Sequence, residues 1–262
     1  MASSKNRPSQ MTPLQDLQML ARDLDLTTLA ASLPGFLEKA EHNRLAYTDF
    51  ALGLFQAEMV ARRARRTERG FKRARLGTVE DLETFDFAIR PKLEARTIKE
   101  LCNCRFVDEH RNILCLGRPG LGKTRIAKII ARSACLAGYS VLFVNTASML
   151  EDLHGSLADG TYHRVMRRYT KPQLLVCDEF GYEPFDPRAT KYLFRLVSAR
   201  HRQGSIILTA NTGFARWKSL FPSEPAAVAT VDRLVDQATI LRFTGQGNRH
   251  PKDFHGDPLE DD

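Results

Sequence analysis

The stretch from residue 117 to residue 124 constrains this chain more than any other. It reads Gly-Arg-Pro-Gly-Leu-Gly-Lys-Thr and fits the pattern G-x-x-x-x-G-K-[ST]. In this pattern the glycines let backbone N–H groups close around phosphate oxygens, and the N-terminus of the following helix adds partial positive charge. The predicted phosphate-binding residues are Gly117, Arg118, Pro119, Gly120, Leu121, Gly122, Lys123, Thr124 and, as their neighbour on the helix, Arg125.

The residues on either side of this loop support the prediction. Ile113 to Leu116 is short and apolar, as in a buried strand, and residues 125–132 carry apolar side chains at helical spacing. A chance match is the alternative, but the strand-loop-helix context argues against it. We therefore expect Lys123 to reach the β- and γ-phosphates of a nucleotide and the Thr124 hydroxyl to ligate Mg²⁺.

Composition limits the class of protein. The chain has 262 residues, of which 43% are apolar and 27% charged, as in ordinary globular proteins. No apolar run reaches the ~18 residues that a membrane span needs, and residues 1–13 do not resemble a signal peptide. The five cysteines lack paired metal-ligand spacing, so we expect reduced thiols in a cytoplasmic protein. A net charge of +8 favours a polyanionic partner.

The chain divides into four predicted regions. Leucines at positions 14, 17, 20 and 24 have helical spacing, Pro34-Gly35 predicts a turn between two helices, and a long helix is expected to end near Arg75. Together they predict a small all-α N-terminal domain. The predicted boundaries are 1–76 for this domain, 77–100 for a linker, 101–245 for the core and 246–262 for a short tail.

The long helix ends in a run of positive charge. Eight of the fourteen residues from 62 to 75 are Arg or Lys, and only Glu68 is acidic. Most charge runs are simply solvated helix faces, but those usually mix both signs, and the planar guanidinium suits phosphate contacts. We therefore predict contact with a nucleic-acid backbone, without base specificity. The residues are Arg62, Arg63, Arg65, Arg66, Arg69, Lys72, Arg73 and Arg75.

Beyond the loop, strand and helix signals alternate. Apolar strands are predicted at 140–144, 173–179, 205–211 and 238–243, with helical stretches between them. This alternation is typical of an α/β fold with a parallel sheet covered by helices on both faces, in which ligands bind at the carboxyl ends of the strands.

Three polar residues end predicted strands at that edge. Asp178 is expected to hold Mg²⁺, and Glu179 to orient the water that attacks the γ-phosphate. Asn211 is expected to hydrogen-bond the γ-phosphate or the water. Acids that cap a turn, and a turn-forming Asn before Thr212-Gly213, are the alternative interpretations.

The loop, the sequence Leu-Leu-Val-Cys-Asp-Glu-Phe-Gly-Tyr and the sequence Ile-Ile-Leu-Thr-Ala-Asn together resemble AAA+ ATPases of the DnaC/IstB group. The N-terminal arginines and the linker make the chain most similar to IstB-like transposition helper proteins of bacterial insertion sequences. The resemblance implies an AAA+ P-loop NTPase three-layer sandwich, ATP and Mg²⁺ as cofactors, and ATP sites shared between subunits of a homo-oligomer. It also implies binding to duplex DNA and assistance to a partner transposase.

The same resemblance suggests further residues. Asp232-Arg233-Leu234 matches the family's Asp-Arg-Leu motif, which makes Arg233 the candidate arginine finger that reaches a neighbouring subunit. Arg249 follows Gly247-Asn248 where the family often has Ser before its final Arg, so its role as a second phosphate sensor stays open. A DnaC-type helicase loader and a P-loop metabolite kinase are the alternative functions. The kinase fits the Asp178-Glu179 pair and the finger motif less well.

Overall fold

The computed structural model describes residues 12–245. Of these, residues 12–68 form one compact unit and residues 69–245 form a second. Arg249 and the predicted tail 246–262 lie outside the described residues, and the predicted domain boundaries stay predictions.

The first unit is helical. Its elements are α1 (Pro13–Asp23), α2 (Thr27–Asn43) and most of α3 (Tyr47–Ala74), whose last residues belong to the second unit. Thr12 caps α1 through a reciprocal pair of hydrogen bonds with Gln15. The predicted long helix is confirmed, since α3 has 28 residues and ends one residue before Arg75.

The turn predicted at Pro34-Gly35 is wrong. Helix α2 continues through both residues and ends at Asn43, with Arg44 in a left-handed cap. A proline removes one intrahelical hydrogen bond, but the burial of Ala30 and Leu33 on the preceding turn favours a continuous helix. The predicted leucine stripe on α1 is exposed, with Leu17 at 52% and Leu20 at 54% relative accessibility.

The second unit is a parallel sheet between two helical layers. The strands are β1 (Ile113–Leu116), β2 (Val141–Asn145), β3 (Leu174–Phe180), β4 (Ser205–Ala210) and β5 (Thr239–Arg242). The helices are α4 (Ala95–Leu101), α5 (Arg105–Asp108), α6 (Lys123–Ala137), α7 (Thr146–Ala158), α8 (Tyr162–Thr170), α9 (Pro187–Arg200) and α10 (Glu224–Val235). Short 3₁₀ helices occupy Leu82–Thr84, Phe214–Arg216 and Lys218–Leu220.

The order of the strands decides where the functional residues meet. It is β2-β3-β4-β1-β5, and every described pairing is parallel. The chain runs in one direction across the sheet from β1 to β2 and in the other direction afterwards. Because parallel crossovers are right-handed, α6 lies on one face and α7 to α10 on the other. Two separate apolar clusters fill these layers, so the predicted three-layer α/β fold is confirmed.

Candidate active site

The phosphate loop connects β1 to α6 and depends on its glycines. Gly117 has φ +151°, and a Cβ there would lie 2.2 Å from the Phe243 carbonyl oxygen. Gly122 has φ +90°, and a Cβ there would lie 2.7 Å from the Phe85 ring. Both positions combine a left-handed or extended positive φ with a close neighbour, so only glycine fits them without displacement.

Lys123 begins α6 and is buried at 6% relative accessibility. Its ammonium donates to the carbonyl oxygens of Gly117 and Arg118, both at 2.6 Å. The charge is therefore held against the backbone of the loop. Leu121 is buried in the apolar cluster beneath, and this anchors the loop from below.

The acid pair on β3 lies beside the loop. The Thr124 hydroxyl donates to Asp178 Oδ1 at 2.9 Å, which joins the first turn of α6 to β3. Asp178 is buried and pairs in register with Asn145 at the end of β2. Glu179 is exposed and has φ +56°. The sequence-predicted loop and acids are thus neighbours at the carboxyl edge of the sheet.

Asn211 follows β4, the strand between β1 and β3. The preceding residue, Ala210, accepts a hydrogen bond from the first N–H of the loop, Gly117 N, at 3.2 Å. Asn211 is half-buried and comes directly after the strand that lies between the loop and the acid pair. Its role toward phosphate or water remains a prediction.

Asn145 was missed by sequence reasoning. Its Nδ2 donates to Glu179 Oε2 at 2.6 Å, while its Oδ1 caps α7 by accepting from Ala147 N at 2.9 Å. One amide therefore fixes both a helix start and the exposed acid. The signal in the sequence was a polar residue that ends another apolar strand, at the same edge as Asp178.

The linker was also missed as part of the site. Phe85 packs on Gly122, and the buried Arg90 donates from Nε to the Leu121 carbonyl oxygen at 2.9 Å. Arg125 pairs with Glu80 at 2.9 Å and lies over the Phe85 ring. Linker residues thus brace the phosphate loop, and the Arg125 side chain binds the linker.

Arg233 lies away from its own phosphate loop. It is on the last turn of α10, where Asn112 Nδ2 donates to the Leu234 carbonyl oxygen at 3.0 Å. Asn112 precedes β1, so this turn is at the amino edge of the sheet, opposite the loop. The Arg233 guanidinium donates to the Ala229 carbonyl oxygen at 2.7 Å and lies 4.9 Å from the centre of the Phe194 ring.

The predicted DNA-binding arginines of the first unit fall into two groups. Arg62 and Arg65 both pair with the buried Glu58, at 3.0 and 2.9 Å. Glu58 also accepts from the N–H groups of Thr28 and Leu29, which caps α2. Burial alone would raise the pKa of Glu58, but these donors hold it below its ordinary value. Arg62 and Arg65 are therefore part of the helical framework.

The other cations of this run are exposed. In the first unit they are Arg63 and Arg66, and in the second Arg69, Lys72, Arg73 and Arg75. Residues 66, 69 and 73 recur at helical spacing, as one face of a helix requires.

The cysteine thiols and the arrangement of the His, Cys, Asp and Glu side chains bear on two other kinds of site, a reactive thiolate and a metal cluster. All five cysteines are free, and burial raises the pKa of Cys115 and of Cys177 to about 12, so neither is a reactive thiolate. Within residues 12–245 no group of three or more His, Cys, Asp or Glu side chains is arranged to hold a metal. None of the described helices is long and apolar enough to span a bilayer.

Comparison with known proteins identifies the family. A family model described as IstB-like ATP binding protein matches residues 19–254. The chain belongs to this family. It is 33% identical over 236 residues to a putative ATP-binding protein of insertion sequence IS21 from Pseudomonas aeruginosa. This match covers 90% of this chain and 89% of the relative. A similarly named protein of insertion sequence IS5376 from Geobacillus stearothermophilus is 32% identical and covers 86% of this chain and 90% of its own.

Solved structures support the fold of this IstB-like protein. The DnaC helicase loader superposes with a TM-score of 0.51 at 17% identity, over 67% of this chain and 99% of its own. DnaI superposes with a TM-score of 0.52 at 20% identity, over 64% of this chain and 92% of its own. At these identities the likeness shows the fold alone.

Proposed function

We propose that this protein is a Mg²⁺-dependent ATPase that assembles on duplex DNA with ATP and assists the transposase of an insertion sequence. The observation that carries the ATPase is the contact between Thr124 of the phosphate loop and Asp178 of β3. It joins the two parts that phosphoryl transfer needs, a phosphate cradle and an acid pair. Membership of the IstB-like ATP-binding family supports the insertion-sequence setting.

The residues of the site suit ATP hydrolysis. The loop N–H groups and the buried Lys123 would bind the β- and γ-phosphates, and charge stabilisation is stronger in such a partly dry site than in water. Glu179 is exposed beside the loop and would orient and polarise the attacking water. Asn211, directly after the strand between them, would bind the γ-phosphate or that water.

The residues present also fit Mg²⁺. The Thr124 hydroxyl and the Asp178 carboxylate are hard oxygen donors 2.9 Å apart, and Mg²⁺ in nucleotide sites is usually bound by one or two such groups together with substrate phosphates. Thr124 and Asp178 would hold the ion, and its positive charge would offset the negative charge that develops on the phosphates.

We propose that the site is completed by a second subunit. Arg233 is on the opposite edge of the sheet from its own loop, as the hydrogen bond of Asn112 to the end of α10 indicates. An arginine at that edge can reach a γ-phosphate only in a neighbouring copy. Hydrolysis would then depend on assembly, because the finger is supplied in trans.

The DNA-binding surface is proposed from exposed cations. Arg63 and Arg66 of the first unit are exposed on α3. In the second unit, α8 and α9 add a further set, namely Arg164, Arg167, Arg188, Lys191 and Arg195. Neither α8 nor α9 contains an acidic residue, so these helix faces favour a polyanion such as the DNA backbone.

The hydrolytic role is tested with Glu179→Gln. This variant should bind ATP within about twofold of wild type and lose at least ~100-fold in turnover, because an amide cannot polarise the water. ATP-bound assemblies on duplex DNA should then persist in gel filtration. Unchanged turnover would remove Glu179 from the mechanism, and duplex binding that ATP never enhances would contradict the proposed assembly.

The DNA contact is tested with two adjacent arginines. Arg63→Gln and Arg62→Gln remove the same charge, but only Arg62 pairs with Glu58. Arg63→Gln should lower the slope of log K against log salt by about 0.9, with unfolding free energy within ~0.5 kcal/mol of wild type. Arg62→Gln should mainly lower stability, by about 1–2 kcal/mol. Equal slopes for wild type and Arg63→Gln would exclude this part of α3 from the DNA surface.

The helicase-loader alternative makes a different prediction. A loader should co-purify with a replicative helicase and prefer single-stranded DNA, whereas a transposition helper should stimulate a transposase and prefer duplex. Pull-down of each partner with wild-type protein and ATP separates the two functions.

A further inference from the structure

Strand β3 contains an irregularity at the acid pair. Cys177 pairs with Leu208 and Phe180 with Ala210, so Asp178 and Glu179 together face one residue of β4, Thr209. This is a β-bulge, which redirects a side chain and interrupts the ladder of backbone hydrogen bonds. Glu179 has φ +56°, a conformation that costs a residue other than glycine about 1–2 kcal/mol.

The Thr209 side chain replaces the missing ladder bond. Its Oγ1 accepts from the Glu179 N–H at 3.0 Å and lies 2.6 Å from Asp178 Oδ1. Because the backbone N–H can only donate, the hydroxyl proton of Thr209 is directed to the Asp178 carboxylate. Thr209 is buried at 1% relative accessibility, so water does not compete for these bonds.

Two hydroxyl groups therefore converge on one carboxylate oxygen. Thr124 and Thr209 both donate to Asp178 Oδ1, from α6 and from β4 respectively. Their two directions fix the plane of the carboxylate, and its Oδ2 is the oxygen that these hydroxyls do not engage. The same Thr209 oxygen holds the backbone of Glu179 in its strained conformation. One hydroxyl thus orients both acids.

We propose that Thr209 is a positioning residue of the ATPase site, which sets the Asp178 carboxylate for Mg²⁺ and the Glu179 side chain for the attacking water. This inference rests on the proposed ATPase function. Thr209 would act on the metal and the water only through the two acids that it contacts. Every residue of strand Ser205–Ala210 is buried, so a hydroxyl group at position 209 is unfavourable there without these hydrogen bonds.

The test compares Thr209→Val with Thr209→Ser. Valine keeps the shape but removes the hydroxyl, so the Glu179 N–H loses its acceptor and Asp178 loses one of its two hydroxyl donors. We expect turnover to fall about 10- to 100-fold and the Mg²⁺ concentration for half-maximal binding of a fluorescent ATP analogue to rise by a similar factor. Affinity for the analogue in EDTA should stay within about twofold, because the loop itself is unchanged. Serine should restore both quantities to within about threefold of wild type.

A matched control separates the effect from folding. Thr230 is also fully buried, on α10, and its hydroxyl donates to the Ala226 carbonyl oxygen at 2.9 Å. Thr230→Val should leave the Mg²⁺ dependence unchanged. If Thr209→Val does not fold, Thr209→Ala supplies the same comparison with a smaller side chain.

The outcomes are distinct. If the Mg²⁺ dependence of nucleotide binding is the same for Thr209→Val and wild type, or if serine and valine are equally impaired, Thr209 acts only in packing and the inference fails. If wild-type protein binds the analogue with Mg²⁺ but never hydrolyses ATP, the proposed function fails, and the binding measurement still decides the role of Thr209.

Discussion

The contact between the linker and the phosphate loop predicts a large effect of one added methyl group. In Gly122→Ala the new Cβ would lie 2.7 and 3.3 Å from two carbons of the Phe85 ring, which is itself buried at 8% relative accessibility. The φ of +90° costs an alanine about 1–2 kcal/mol. Moving the ring in a packed core costs about 1–3 kcal/mol more. We expect a total loss of about 2–5 kcal/mol in the free energy of unfolding.

Gly138→Ala is the matched control. Gly138 has φ +93°, nearly the same as Gly122, but a Cβ there meets nothing within 4 Å. This variant should therefore show the backbone cost alone, about 1–2 kcal/mol. The difference between the two alanine variants in urea denaturation measures the clash with Phe85.

A double-mutant cycle completes the test. Phe85→Ala alone should cost about 3–5 kcal/mol, and combined with Gly122→Ala the cost should be less than the sum by about 1–3 kcal/mol, because the clash is gone. Affinity for a fluorescent ATP analogue should fall in Gly122→Ala and recover in part in the double variant. Costs that add within ~0.5 kcal/mol, or equal costs for Gly122→Ala and Gly138→Ala, would refute the proposed bracing of the loop by the linker.

Three further predictions follow from other contacts. Glu58→Gln should cost about 2–3 kcal/mol at neutral pH. Because the pKa of Glu58 is held below 4.5 in the folded protein, the stability that this carboxylate supplies is present above that pH and is lost as the pH falls through the folded pKa. Thermal melts of the wild type and the variant that respond identically to acid would contradict this. Asn145→Ala should raise basal ATP turnover several-fold, because it releases Glu179 from the hydrogen bond of the Asn145 amide. The lost helix cap should cost about 1 kcal/mol of stability. Unchanged turnover in steady-state assays would exclude this hydrogen bond as a restraint on Glu179. Arg200→Met should lower the free energy of unfolding by about 3–5 kcal/mol, because the buried guanidinium donates to five backbone carbonyl groups. A loss under ~1 kcal/mol in denaturation would show that those carbonyls find other donors.

The predictable part of the structure came from local patterns. Apolar runs closed by polar residues predicted all five strands to within two residues at each end, and the loop motif predicted the junction of β1 and α6. Both signals are local, since hydrophobic period and turn residues are set by nearby sequence. The order of the strands was not predicted, but the carboxyl ends of parallel strands share one edge, and Asp178, Glu179 and Asn211 do lie at that edge.

The rest depends on contacts between distant residues. Pro34 stops a helix in isolation, but tertiary packing of α2 outweighs one lost hydrogen bond. Asn145 and Thr209 act through partners about 30 residues away, and nothing in their own neighbourhoods predicts those bonds. The arginine run similarly gave no means to separate Arg62, which pairs with the buried Glu58, from its neighbour Arg63.

The chemistry of the native thiols makes this chain convenient for spectroscopy. Four of the five cysteines are buried, and burial raises the pKa of Cys104 and Cys135 to about 11, so at neutral pH they are almost entirely protonated and shielded from maleimides. Only Cys102 is half-exposed, and burial raises its pKa as well. A Cys102→Ser background would thus accept a single fluorophore at an introduced cysteine, for example at position 63. Energy transfer from that dye to labelled duplex would then report how the nucleic acid runs across the assembled subunits.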